Sequence, residues 1–330
     1  QMAGCEIYSR KITFPRHSAT LNVVFDPSGS LLGFTFTDEK ALLSETESDH
    51  HIYVSDTIQL PARLTMPSAS SVKGRVPVVI LVHGSGPSNM DEAMGPNAPF
   101  RDLAEGLSRR GVAVLRYDKR TFVCPQFFEN AKEGYTYDDE TVDDAISAVR
   151  LVKDSLAKEM AIDPSRIYIV GHSMGGMLAP RIAQRSGDVA GLVLLAAPTG
   201  KLLPTIERQL AYLGRLAEEI RKLTEIALAD IPDSYLDLDA RYSDTATAQE
   251  LNIPMLILQG ECDYQVTMDD YRTWREAVGN RQGVVMKSYP SLNHLFMAGK
   301  GGSMPEEYQT PGHVAEEVMD DIANFVLSGK

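Results

Sequence analysis

The chain has 330 residues, 43% hydrophobic and 23% charged, the balance of a globular protein with one large domain or two medium ones. Its formal net charge of -13 repels phosphate backbones and anionic headgroups, so neither nucleic-acid binding nor docking on an acidic membrane is expected. The longest plain apolar run, Val76–Val82, is far too short to span a bilayer, and the first residues lack the charged and apolar regions of a signal peptide.

Cys5, Cys124 and Cys262 are odd in number and form no C-x-x-C, so neither a disulfide framework nor a zinc site is expected. Cys5, in Met2-Ala3-Gly4-Cys5, reads as an ordinary cysteine. Thr20–Phe25 and Leu31–Phe36 flank the turn sequence Asp26-Pro27-Ser28-Gly29 and predict a hairpin. His50-His51, in the polar stretch Ser44–His51, reads as solvated loop. Thr57–Met66 alternates Ile58, Leu60, Ala62, Leu64 and Met66, as an antiparallel strand does.

From Pro77 onward strands and helices alternate. Val78–Val82 reads as a buried strand, Phe100–Arg110 as a helix stopped by Gly111, and Val112–Tyr117 as the next strand. Thr141–Leu156 is an amphipathic helix with Val142, Ile146, Val149 and Val152 on one face. Asp163-Pro164 breaks the chain before strand Ile167–Val170. Helix Met174–Arg185 follows, then strands Gly191–Ala196, Met255–Gln259 and Val284–Tyr289, and a last helix His313–Leu327. Such alternation predicts an α/β fold with a mostly parallel sheet covered on both faces.

The expected division is a β-hairpin extension over residues 1–56 and a main α/β domain over 57–330. A helical insertion over about 200–250 interrupts that domain. Its long helix, Thr205–Ala229, carries an apolar stripe of Ile206, Leu210, Leu213, Ala217, Ile220 and Leu223. It is expected to cap the C-terminal edge of the sheet, where ligands bind in such folds.

Gly171-His172-Ser173-Met174-Gly175 lies between a strand and a helix, the context in which G-x-S-x-G forms a nucleophile elbow. Ser173 is the expected nucleophile. A serine hydroxyl needs a base, and the base needs an orienting acid. After Ser173 only His294 and His313 remain; His294 follows a strand and is preferred, while His313 reads as a helix-start residue. In Gly260-Glu261-Cys262-Asp263, Asp263 is the expected acid and Glu261 the runner-up. Asp269-Asp270 read as the start of the next helix. The loop His83-Gly84-Ser85-Gly86-Pro87 should supply one oxyanion donor, the N–H of Ser85 or alternatively Gly86, beside that of Met174. His83 reads as shaping the loop, and Tyr212, Tyr235, Tyr242 and Trp274 read as packing or, alternatively, as lining the pocket. No H-x-H or H-E-x-x-H occurs, and this chemistry needs neither metal nor cofactor.

Four stretches carry a resemblance: His83–Pro87, Arg116-Tyr117-Asp118-Lys119-Arg120, Gly171–Gly176 and Leu292-Asn293-His294-Leu295-Phe296. Together they resemble the α/β-hydrolase superfamily and, within it, bacterial EstD-type serine carboxylesterases, from about Thr57 to the end. The hairpin Thr20–Phe36 is similar to the tail of a small accessory domain that precedes such hydrolases. The resemblance implies hydrolysis of short-acyl esters of small molecules. An acyl-CoA thioesterase or peptidase on the same scaffold is the alternative, and a non-catalytic binding protein a more distant one. One departure is Asn89-Met90-Asp91-Glu92, where the family pattern carries Asp-Arg before Asp-Glu; it is expected to alter the substrate preference.

Overall fold

The computed structural model describes residues 6–13, 18–38, 44–70, 73–129, 131, 134–214, 222, 231–300 and 304–329. Cys5 lies outside them. Contacts divide the chain into two units, residues 1–48 and 49–330.

The first unit is a three-stranded antiparallel sheet of β1 (Glu6–Thr13), β2 (Ser18–Phe25) and β3 (Leu31–Asp38). The predicted hairpin is β2–β3, with Leu21 opposite Phe36 and Val23 opposite Phe34. Its turn closes on Asp26, whose Oδ1 accepts from the N–H groups of Ser28 at 2.8 Å and Ser30 at 2.9 Å. The pattern reading missed β1, because Ser9, Arg10 and Lys11 interrupt its apolar alternation.

The second unit is built on an eight-stranded sheet. Its strands are β4 (Glu47–Tyr53), β5 (Gln59–Thr65), β6 (Val76–Val82), β7 (Ala113–Tyr117), β8 (Ile162–His172), β9 (Gly191–Leu195), β10 (Met255–Gly260) and β11 (Val284–Tyr289). The spatial order is β11-β10-β9-β8-β6-β7-β5-β4. β5 pairs antiparallel with β7, while β7, β6, β8, β9, β10 and β11 run parallel. His50 and His51 lie in β4 rather than in a loop. An edge strand faces solvent along one side, so its sequence stays polar and Ile52 is its only fully buried residue.

Alternating side chains of β6 split between two cores. Val78, Ile80 and Val82 join one, and Val79 and Leu81 the other. Helices α2 (Asp143–Leu151) and α3 (Met174–Ser186) cover the first face with Ala145, Val149, Leu178 and Ile182. Helices α1 (Pro99–Arg109) and α8 (Glu316–Ser328) cover the second with Leu103, Leu107, Val318 and Ile322. The expected break at Asp163-Pro164 falls inside β8, where pairing with β6 jumps from Val76↔Ile162 to Val78↔Ile167.

Three helices occupy the described part of the insertion: α4 (Leu202–Leu213), α5 (Asp233–Arg241) and α6 (Asp244–Glu250). The long helix expected over Thr205–Ala229 does not run through unbroken. Gly214, at φ 57°, takes the left-handed backbone that ends α4. Leu210 and Leu213 of the predicted stripe are buried; Ala217, Ile220 and Leu223 lie outside the described residues. Helix α7 (Met268–Val278) follows β10 and opens with a capping box of Thr267 and Asp270. Among the described residues no helix is long and apolar enough to cross a membrane.

Candidate active site

Ser173 stands between the end of β8 and the start of α3, with φ 53° and ψ −121°. A non-glycine residue in that region stores roughly 1–3 kcal/mol of strain. Its N–H is pinned to the Leu195 carbonyl at 2.8 Å. The turn is crowded: a Cβ on Gly175 would sit 2.2 Å from the Val82 carbonyl oxygen. Only glycine lets α3 start that close to β6. Met174 opens α3, so its N–H has no partner within the helix. The His83–Gly86 loop lies against this turn; a Cβ placed on Gly84 would be 3.2 Å from Ser173 Cβ.

Asp263 and His294 meet directly. The His294 Nδ1–H donates to Asp263 Oδ2 at 2.6 Å, and both residues are buried. Asp263 Oδ1 accepts from the N–H groups of Gln265 at 2.8 Å and Val266 at 3.0 Å. Gln259 Nε2 also approaches Oδ2 at 3.3 Å. The carboxylate is therefore held at both oxygens, and the proton on Nδ1 leaves Nε2 of His294 as the basic nitrogen. Asn293 Oδ1 shapes the histidine's loop by accepting from the N–H groups of Leu295 at 3.0 Å and Met297 at 3.2 Å. Gly260 admits that loop: a Cβ there would lie 2.4 Å from the Leu292 carbonyl oxygen.

Ser173 reaches this pair through its neighbour. The His172 Nε2–H donates to the His294 carbonyl at 2.9 Å, and the two rings are 4.6 Å apart. No hydrogen bond joins the Ser173 hydroxyl to His294 among the described residues; such gaps are common before a substrate is bound. Glu261 is turned elsewhere, with Oε1 accepting from the Ser288 hydroxyl at 2.7 Å. His313 is exposed and pairs with Asp102 at 3.0 Å. Asp270 caps α7, as expected of a helix-start residue, and also accepts from the Thr199 N–H at 2.9 Å.

Buried charges lie beneath these groups, and pattern reading missed them. Glu92 Oε1 accepts from the Gly84 N–H at 2.8 Å. Its Oε2 stands 3.0 Å from His172 Nδ1, at ion-pair distance but off the line of a hydrogen bond. Burial opposes charge on both. The Glu92 carboxylate nevertheless raises the His172 pKa, and His172 with His83 lowers that of Glu92. His83 differs: burial pushes its pKa down to about 4, so it is neutral near pH 7. Its Nε2–H donates to the Asn89 carbonyl at 3.0 Å, a loop-shaping contact. Asn89–Glu92 thus braces the His83–Gly86 loop.

A second buried pair follows. Lys119 Nζ donates to the Gly84 carbonyl at 2.9 Å and to Glu140 Oε1 at 2.6 Å. The Tyr235 hydroxyl, on α5, donates to Glu140 Oε2 at 2.6 Å. Charged residues directly after a buried strand, as in Asp118-Lys119-Arg120 after β7, were the available signal for this pair. Tyr242 and Trp274 are packing residues whose polar atoms donate to the carbonyls of Met177 at 2.9 Å and Ala197 at 3.0 Å. Tyr212 is half exposed and stacks on Tyr264. Among the described residues no three His, Cys, Asp or Glu side chains cluster as a metal site requires.

Esterase EstD of Thermotoga maritima is 37% identical, the match covering 98% of this chain and 80% of that protein. An esterase from Pyrococcus furiosus superposes with a TM-score of 0.58 at 18% identity, covering 86% of this chain and 90% of the other. A hyperthermophilic esterase from the archaeon Pyrobaculum calidifontis gives 0.56 at 20% identity, covering 86% of each. At such identities the two structures speak for the fold alone. The model of the alpha/beta hydrolase family matches residues 79–318, from β6 to the start of α8, and that span holds every residue of the site. The chain therefore belongs to the alpha/beta hydrolase family.

Proposed function

We propose that the protein is a serine carboxylesterase acting on small-molecule esters with short acyl groups. The observation that carries this reading is the Asp263–His294 hydrogen bond, 2.6 Å long, beside the strained turn at Ser173. Its 37% identity to an esterase supports the choice of bond to be cleaved.

In the proposed reaction His294 Nε2 takes the Ser173 proton as Oγ attacks the ester carbonyl carbon. The N–H groups of Met174 and of Ser85, or alternatively Gly86, stabilise the oxyanion. Asp263 keeps the proton on Nδ1 and stabilises the imidazolium that forms. Collapse expels the alcohol, which takes its proton from His294. Water, deprotonated by the same imidazole, then releases the acid from the acyl-enzyme. The reaction as proposed calls for no cofactor. The residues before β4 are proposed as an accessory extension, and α4 to α6 as a cap over the site.

The test is hydrolysis of p-nitrophenyl esters from acetate to palmitate by wild type and Ser173→Ala. Wild-type turnover should peak at short chains, and the variant should lose at least about 10³-fold. Unchanged turnover in Ser173→Ala would overturn the assignment. Cleavage of acyl-CoA thioesters in preference to every oxygen ester would replace the substrate class.

A further inference from the structure

The Gly84 backbone is gripped at both ends by buried charges. Its N–H donates to the Glu92 carboxylate at 2.8 Å, and its carbonyl accepts from the Lys119 ammonium at 2.9 Å. Lys119 is 2% exposed and Glu92 7%, so neither contact is diluted by water. Glycine is the residue least able to hold its own backbone direction, which makes two such anchors on one glycine informative.

The Gly84 carbonyl belongs to the same planar unit as the Ser85 N–H. No cis peptide bond occurs among the described residues, so that C=O and N–H point in opposite directions. Lys119 sits on the buried side, while Ser85 itself is exposed. The ammonium therefore turns the Ser85 N–H outward, on the loop that lies against Ser173. It also withdraws electron density from the peptide, making that N–H a stronger donor.

A buried Lys–Glu pair is weak evidence for a purely structural role, since apolar residues of similar size often serve as well. This pair reaches further. Glu140 takes Lys119 Nζ on Oε1 and the Tyr235 hydroxyl on Oε2, each at 2.6 Å. The same hydroxyl lies 3.8 Å from Met174 Sδ, on the residue proposed to give the other oxyanion donor. Tyr235 is carried by α5 in the helical insertion.

We propose that Lys119 is a positioning residue for the oxyanion hole, acting through the Gly84–Ser85 peptide, and that Glu140 and Tyr235 tie it to the insertion. This rests on the serine esterase reading above.

The test pairs Lys119→Met with Glu140→Gln, so that no charge is stranded in the core. The double variant should fold and still react with a fluorophosphonate at Ser173. Its kcat should fall about 10- to 100-fold, short of the roughly 10²–10³-fold cost of deleting an oxyanion donor. KM should stay within about threefold, because the contact acts on the transition state. Infrared difference spectra of an acyl-enzyme with a ¹³C-labelled carbonyl should show its stretch at higher frequency than in wild type. A merely structural loss would lower the folded fraction without moving that band. Tyr235→Phe, which keeps the ring, is the milder arm and decides the matter if the double variant does not fold. It should lower kcat roughly two- to fivefold with a band shift of the same sign. Wild-type kcat and an unmoved band in the folded variants would overturn the proposal. Failure of wild-type Ser173 to label would instead fault the esterase reading.

Discussion

Asp263→Asn tests the site most sharply, because the surrounding bonds dictate how an asparagine must sit. The backbone N–H groups of Gln265 and Val266 both point at Oδ1, so the amide oxygen has to occupy that position. The amide NH2 then replaces Oδ2 and faces His294 Nδ1. Gln259 cannot turn over to receive it, since its own Nε2 is committed to the carbonyls of Gly260 at 3.0 Å and Val266 at 2.8 Å. His294 responds by moving its proton to Nε2, the nitrogen proposed to accept the Ser173 proton. The wrong tautomer costs about 10⁴-fold in kcat, about 5.4 kcal/mol at 1.36 kcal/mol per decade. Because the oxygen at the Oδ1 position is retained, stability should fall by no more than about 3 kcal/mol, the scale of one charge-assisted hydrogen bond. The assay is p-nitrophenyl acetate turnover at pH 7.5, with urea unfolding of the same sample. A variant that stays folded and keeps kcat within about tenfold of wild type would refute the reasoning.

Other outcomes follow from the same geometry. Glu261→Gln should leave kcat within about twofold of wild type, because Glu261 bonds Ser288 and not the histidine; a collapse in turnover would mean the acid was misassigned. Gly175→Ala brings a Cβ to 2.2 Å from the Val82 carbonyl oxygen and should cost about 3 kcal/mol in urea unfolding, with loss of turnover. Near-wild-type stability would show that the elbow can open. His83 should set a pH dependence of stability. Its folded pKa of about 4 lies below the ordinary 6.5, so between those values the unfolded chain binds the extra proton and stability falls as the pH falls. Between pH 7.5 and 4.5 this amounts to about 2–3 kcal/mol, which His83→Gln should remove. An equal acid loss in both proteins, by urea unfolding at the two pH values, would contradict the burial of a neutral ring.

The buried charges explain why an acidic, ordinary-looking chain spends polar residues in its core. Glu92 and His172 join the Gly84 loop to the carbonyl of His294, and Lys119 with Glu140 joins the same loop to α5. Each bridge spans elements far apart in the chain. Together they hold the backbone of the His83–Gly86 loop and the histidine's loop in register with Ser173.

Period and punctuation in the sequence determined the alternation from β6 onward, because buried parallel strands must be continuously apolar and the helices covering them must be amphipathic. Ser173 was legible for a similar reason: the glycines around it answer to contacts within a few residues and with the neighbouring strand. Asp263 and His294 were legible as residues following strands in the right order, but their bond needed β10 and β11 to lie side by side. The edge strand β4 and the stop of α4 at Gly214 were not, since an edge carries little apolar signal and one glycine within an amphipathic pattern is ambiguous. Least legible were Glu92, Lys119, Glu140 and Tyr235. A charged side chain reads as solvated until the fold closes over it, and only tertiary structure decides which buried backbone atom it must satisfy.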